Sequence, residues 1–476
     1  MAKPRKRVLW MGILAGVVLI TAFALGTHGY LRWRLNRYKA QLIANGEKLK
    51  IDELLPLPRD NNSAGKVFIA MSQISTGKHP VIDDSSLGKF PLAPGRAIVC
   101  GALTNYPNKG KETNTWESLG AELDALAPQL SELRAALEVP ARHFTINYEQ
   151  AFFAMFPHLT SLRNACRTLA VAHLYELHRH RPEAALTNLQ ACLTLANCAA
   201  DERLIISQLV RNACAGIAMN ATWETLQLNQ WNDAQLADLQ QRWQRLKFLS
   251  SMEQSMNMER AVAVDTVQTM RESFQQFANS WAGPGAGPPL VIPGTSTDPG
   301  DWVVQFAKNS VQITANAFWG SLWNWYWSYQ DEFWTLRMTQ AILAGARESQ
   351  TNHSWSMTER GVAMGVKEVE NAFSHKERAS LELAAQTVGN MRLILTCTIL
   401  STQPTSLKKA FQAETMREIA VAAIALKRYQ LRHGRPAPAL SALTPEFVTE
   451  PPRDFMNGQP LQYRLNADGT WVLYSV

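Results

Sequence analysis

The first 39 positions of this chain contain no acidic residue, and between Val8 and Leu31 there is no charge of either sign. The 476 residues also hold few cysteines: Cys100, Cys166, Cys192, Cys198, Cys214 and Cys397, with no C-x-x-C pair among them. Zinc-ribbon and thioredoxin-like chemistry therefore has no support. There is no G-x-x-x-x-G-K-[ST], no G-x-S-x-G, no H-E-x-x-H and no G-x-G-x-x-G. The sequence thus gives no sign of a phosphate-cradling loop, a nucleophile elbow, a zinc-protease helix or a dinucleotide fingerprint. No long low-complexity tract interrupts it, and 46% of its residues are hydrophobic, which suffices for two or three compact units.

What charge there is lies unevenly. The formal net charge is +7, yet Lys3, Arg5, Lys6, Arg7, Arg32, Arg34, Arg37 and Lys39 account for all of it, leaving the rest of the chain close to neutral. A body with no net positive charge has no electrostatic drive toward phosphate backbones, so nucleic acid is not an expected partner.

Val8–Leu25 is an 18-residue apolar run, about the minimum for a membrane-spanning helix. Basic residues flank it on both sides, and the very short N-terminal tail favours an N-inside, C-outside orientation. The expected partner of residues 8–25 is a lipid bilayer, and the expected location is a bacterial inner membrane, single-pass, with the body outside the cytoplasm. Beyond the run, Tyr30, Trp33 and Tyr38 alternate with Arg32, Arg34, Arg37 and Lys39, as expected where a helix leaves a bilayer. The alternative is a signal peptide cleaved near Ala24, since Ala22-Phe23-Ala24 has the small-x-small form.

Hydrophobic periodicity predicts a mainly α fold. Residues 1–44 form the anchor and a juxtamembrane helix that stops at Asn45-Gly46. Residues 45–140 read as irregular and helical, with a loop over Pro56–Gly65, a short helix near Lys66–Ile74 and a helical stretch over Trp116–Leu137. Residues 141–281 read as helical hairpins. Leu162, Cys166, Leu169 and His173 share one face, Leu186, Leu189, Leu193 and Ala196 the next, and Ile206, Val210, Ala213 and Ile217 a third, somewhat like a tetratricopeptide unit. A further helical section runs from Asp233 to Phe277. The Gly/Pro-rich stretch at 282–301 must be a loop, and 302–412 is a Trp-rich helical region. In 413–476, Ile419, Ala422, Leu426 and Tyr429 line a helix closed by His433-Gly434, followed by a β-hairpin about Asn466–Gly469.

The cysteines on alanine-rich helices read as buried thiols, with an interhelical bridge between Cys166 and Cys214 as the alternative. His173, His178 and His180 lie close together but read as a solvated, basic helix end rather than a metal site. Ser86-Leu87-Gly88-Lys89 matches S-x-x-K without its companion elements, a weak sign of a penicillin-recognising enzyme. The most unusual feature is Phe318–Trp334, where Trp319, Trp323, Tyr326, Gln330 and Trp334 follow helical spacing while Trp325, Trp327 and Tyr329 lie elsewhere around the helix. These last three are the candidate ligand or membrane contacts. Burial between helical layers, placement in the membrane interface and stacking on a glycan are the three readings. No catalytic, cofactor-binding or metal-ligating set emerges.

The tail Ala425–Val476 resembles the C-terminal half of the major pseudopilin of type II secretion systems. The matching positions are Gly434-Arg435-Pro436, Leu440, Leu443, Pro452, Asp454, Asn457-Gly458, Pro460, Tyr463, Asp468-Gly469 and Tyr474-Ser475. Similar tails occur on large membrane-anchored proteins of planctomycete and verrucomicrobial type, which the whole chain resembles. The family's Gly before Phe-Thr-Leu-x-Glu is missing near the anchor, and the chain stops at Val476, short of the family's calcium loop. The resemblance therefore implies a small α+β module outside the membrane, and neither a pilus subunit nor a calcium site. Together these features lead us to expect a non-catalytic envelope protein with protein partners, linked to a secretion-type assembly. The alternatives are an envelope enzyme with a dispersed site and a lipid- or polysaccharide-binding module.

Overall fold

A computed structural model describes residues 4–57, 63–77, 79, 82, 116–148, 156–272, 323–371, 394–467 and 469–476. Helix α1 (Pro4–Ala44) is a single unbroken rod. Its described large apolar side chains between Met11 and Leu25 meet solvent, Phe23 being 74% exposed, whereas Leu31, Leu35 and Leu42 further along are buried. Gly46 ends it at φ +83°, with Glu47 N–H reaching Leu42 O at 3.0 Å and Gly46 N–H reaching Ile43 O at 3.0 Å. That pair of bonds satisfies carbonyls the last turn would leave open, and the positive φ is why glycine stands there.

Then come α2 (Ser63–Ser75), α3 (Trp116–Ala125), α4 (Ala127–Ala136), α5 (Pro157–His178), α6 (Pro182–Ala196), α7 (Ile205–Gln227), α8 (Asp233–Gln244) and α9 (Leu249–Glu272). Proline opens α5 and α6, where its missing N–H costs nothing. Asn232 and Gln235 cap α8 reciprocally. A π-turn at Trp323–Trp327 leads into α10 (Ser328–Asn352), followed by α11 (Trp355–Asn371) and α12 (Ile394–His433). A 3-10 turn at Leu440–Leu443 and the antiparallel strands β1 (Gln462–Leu465) and β2 (Trp471–Tyr474) complete the chain, with Tyr463 opposite Leu473.

The mainly helical class with a small hairpin is as expected, and so are the ends of α1 and α12. Two helical stretches resolve into pairs, and two expected boundaries shift. The stretch expected to be helical over Trp116–Leu137 is so, as two helices parted at Leu126 just before Pro128. The section expected from Asp233 is also two: Phe248 and Leu249 turn their N–H groups to the Glu414 carboxylate at 2.9 and 3.4 Å, and this ends one helix and starts the next. Helix α2 starts at Ser63, inside the expected Pro56–Gly65 loop. The division at 412/413 falls inside α12, which runs on without interruption. The 282–301 loop, Cys100 and Ser86–Lys89 lie outside the described residues.

One large core joins α2 to α8 with the second half of α12 and the tail, from Val67 through Leu169, Leu189, Cys214 and Trp243 to Ile424, Leu443 and Leu461. The C-terminal segment is therefore packed into the body. Asp454, almost fully buried, fixes it by accepting from Met456 N–H at 2.8 Å and Val476 N–H at 2.9 Å. Tyr463 donates its hydroxyl to Ala437 O at 2.6 Å. A separate cluster joins Leu35 and Leu42 of α1 to Phe333, Leu336 and Met338 of α10.

Candidate functional site

The described part of the Trp-rich segment sits against α1 where its apolar run ends. Trp325 is 44% exposed, while Trp327 is 8% exposed and belongs to the interior. Trp327 is therefore not a ligand or membrane contact. The π-turn accounts for this, because its wider winding shifts side chains off 3.6-residue spacing. His28 of α1 donates from Nδ1 to Trp325 O at 2.6 Å, stacks on the Trp325 ring with centroids 5.3 Å apart, and meets Tyr329 edge-on at 5.1 Å. The carbonyl can only accept, which fixes the proton on Nδ1. Tyr329 is half-buried, and the Arg271 guanidinium lies over its ring at 4.0 Å. Arg34 covers Phe333 at 3.9 Å and Arg37 lies over Trp33 at 5.3 Å. The result is a collar of aromatic rings and cations around one end of the body.

Below the collar, ion pairs lock α1 in place. Glu332 of α10, fully buried, pairs with Lys39 of α1 and with Arg271 of α9 at 2.6 Å. Glu47, just past α1, receives Arg260 at 2.8 Å, Arg347 at 2.5 Å and Gln340 at 2.9 Å. Burial alone would raise the Glu47 carboxyl, but hydrogen bonds from Arg347, Arg260 and Gln340 outweigh it and hold it at about 2. Sequence reasoning passed over His28, Glu47 and Glu332, and read Lys39 only as part of the basic flank. Lys39 and His28 do carry a signal, since they lie on the helix face that holds Leu31, Leu35 and Leu42. Glu47 carries none, because its partners come from two remote helices.

A cleft of about 540 Å³ opens elsewhere, where α12 meets the α8–α9 connection and the end of α10. Arg417 on its floor pairs with Glu414 at 2.7 Å and Glu418 at 2.5 Å, while Lys247 and Arg453 stand on the rim. Burial raises the Glu418 carboxyl despite Arg417. His353, which joins α10 to α11, adopts φ +53° and lies edge-on to Phe455. A left-handed histidine is uncommon and stores some strain. The floor charges are spent on one another and on the helix start at Phe248, so this set does not form a nucleophile held by a base.

The remaining candidates are structural. Cys166, Cys192, Cys198 and Cys214 are free and buried, so the Cys166–Cys214 bridge is not formed. Burial raises the Cys166 and Cys198 thiols, which makes them unreactive. His173 is not at a solvated helix end: it is fully buried, its Nδ1 donates to Ala185 O at 2.7 Å, and Nε2 meets Thr225 Oγ1 at 3.0 Å. Burial lowers its pKa to about 4. His178 and His180 are exposed, His178 stacking on Trp116 at 3.9 Å. Among the described residues no group of His, Cys, Asp and Glu has metal-binding geometry. Compared with protein-family models, curated proteins and solved structures, the chain matches none.

Proposed function

We propose that this chain is a bacterial inner-membrane protein held by α1, whose helical body stands outside the cytoplasm and acts by binding other proteins rather than by catalysis. The observation that carries this reading is the division of α1. One continuous helix is long and apolar enough to cross a bilayer through its first half, where its described large apolar side chains are exposed, and is part of the folded interior through its second. Lipid offers the exposed half the burial the body withholds.

Two features support action through partners. Helices α5, α6 and α7 follow one another through short connections and pack together, in keeping with a tetratricopeptide-like hairpin array. Such arrays present broad surfaces to other chains. The pseudopilin resemblance is supported by a tail made of a helix ending at Gly434, a short turn at Leu440–Leu443, a loop pinned by Asp454 and a hairpin. A secretion-type assembly is thus the partner class we favour.

The test is in-cell crosslinking of the full chain carrying a C-terminal tag, with carbonate-washed membranes solubilised and the attached proteins identified by mass spectrometry. Retention through the wash, with the same envelope-assembly components recovered in replicate, is the expected result. Release by carbonate would overturn the anchor and favour a cleaved signal peptide. Retention with no crosslinked protein would overturn the interaction.

A further inference from the structure

Trp325 is large and 44% exposed, and the turn that carries it is held from two sides. Asn324 donates to Arg271 O at 2.8 Å, and Arg271 Nε donates to Ser328 Oγ at 2.9 Å, so the π-turn is fastened from behind to the end of α9. From the front His28 bonds the Trp325 carbonyl and stacks on its ring. Ordering an exposed indole costs free energy that water does not return, whereas a headgroup region does.

The helix sets the level at which this occurs. His28 is three residues past Leu25, the end of the apolar run, and a rise of about 1.5 Å per residue places it roughly 4.5 Å beyond the run. The polar zone flanking a bilayer's hydrocarbon is about 5–8 Å deep on each side. His28, and with it the ring stacked on it, therefore falls within that zone when residues 8–25 span.

We propose that the π-turn at Trp323–Trp327 is a second membrane contact, with Trp325 entering the phospholipid headgroup region of the leaflet through which α1 emerges. The body is thereby held against the bilayer in one orientation, with no freedom to swing on its anchor. This rests on the membrane-spanning reading of α1, and the experiment separates the two.

The full chain is reconstituted in phosphatidylcholine–phosphatidylglycerol vesicles with the photoreactive residue p-benzoylphenylalanine replacing Phe23, Trp325 or Trp223 in turn. Trp223, on α7, is 39% exposed and serves as the background for any exposed ring. Lipid adducts at both 23 and 325, well above those at 223, are the expected result. Adducts at 23 with only background at 325 would overturn the second contact while leaving the anchor in place. Background at 23 would remove the anchor and the proposal with it. The near-native variant Trp325→Phe guards against misfolding. In vesicles of brominated lipid it should lose part of the quenchable tryptophan emission of the unaltered protein, and identical quenching in the two would overturn the proposal.

Discussion

Single ionisable residues hold opposed amounts of stability in this fold, and pH can separate them. Glu47 is held at about 2 against an ordinary value of 4.5, so the stability it contributes is present above pH 4.5 and is lost as pH falls toward 2. His173 is lowered to about 4 from 6.5, so its neutral form supports the fold above pH 6.5 and that support is lost as pH falls to 4. Glu259 acts in the other direction. Burial pushes its carboxyl up to about 7 despite the Ile205 N–H at 2.9 Å, so the folded state gains stability as pH falls from 7 to 4.5. Between pH 6.5 and 4.5 the last two oppose each other, and below 4.5 Glu47 acts in the destabilising direction with no such opposition. Denaturation midpoints of the detergent-solubilised protein should stay nearly level from pH 7 to 5 and then drop. In Glu259→Gln the decline should begin near pH 6.5. A Glu259→Gln profile that overlays the unaltered one would refute the compensation. Glu47→Ala at pH 7 should cost about 3–5 kcal/mol, because Arg260 is then left buried without its carboxylate.

At the scale of elements, α1 belongs to two environments, and paired substitutions should reveal it. Leu35→Ala removes a side chain packed against α10 and should lower the unfolding free energy by about 2–5 kcal/mol in detergent. Val18→Ala, on the exposed half, should leave it unchanged. Equal, negligible effects would mean that the second half of α1 is not part of the folded body. Gly434→Ala should cost about 1–2 kcal/mol, because φ +67° at the end of α12 penalises any Cβ. The sequence revealed these two helix ends because each depends on a local signal, a glycine following an amphipathic run. It could not reveal the break between α8 and α9, which depends on Glu414 more than a hundred positions away. For the same reason Trp325 and Trp327 could not be told apart by 3.6-residue spacing, since the winding changes at that turn. The collar was legible as a composition of rings and cations. Its assembly around His28, and the Glu332 and Glu47 locks beneath it, depend on contacts between distant segments.

For the whole molecule, the question is whether α1 is a tether or a structural member. Burying Leu31, Leu35 and Leu42 contributes about 5–9 kcal/mol as an upper estimate, comparable with the total stability of an ordinary domain at about 5–15 kcal/mol. The Lys39–Glu332 pair adds a penalty for removal, because among the described residues Glu332 would keep only Arg271 as an ion-pair partner. Two truncations therefore should behave differently. A chain of residues 26–476 loses a segment whose described large apolar side chains are exposed, and it should remain folded, with a melting temperature close to that of the full protein in detergent. A chain of residues 45–476 loses the cover over Phe333, Leu336 and Met338, and it should melt many degrees lower and aggregate on size-exclusion chromatography. Equal melting of the two chains would make the second half of α1 a mere spacer. The expected difference would mean instead that the helix proposed to enter the membrane also holds the body together, so that a force or tilt applied to such an anchor would act directly on α9 and α10 through Glu332, Arg271 and Glu47.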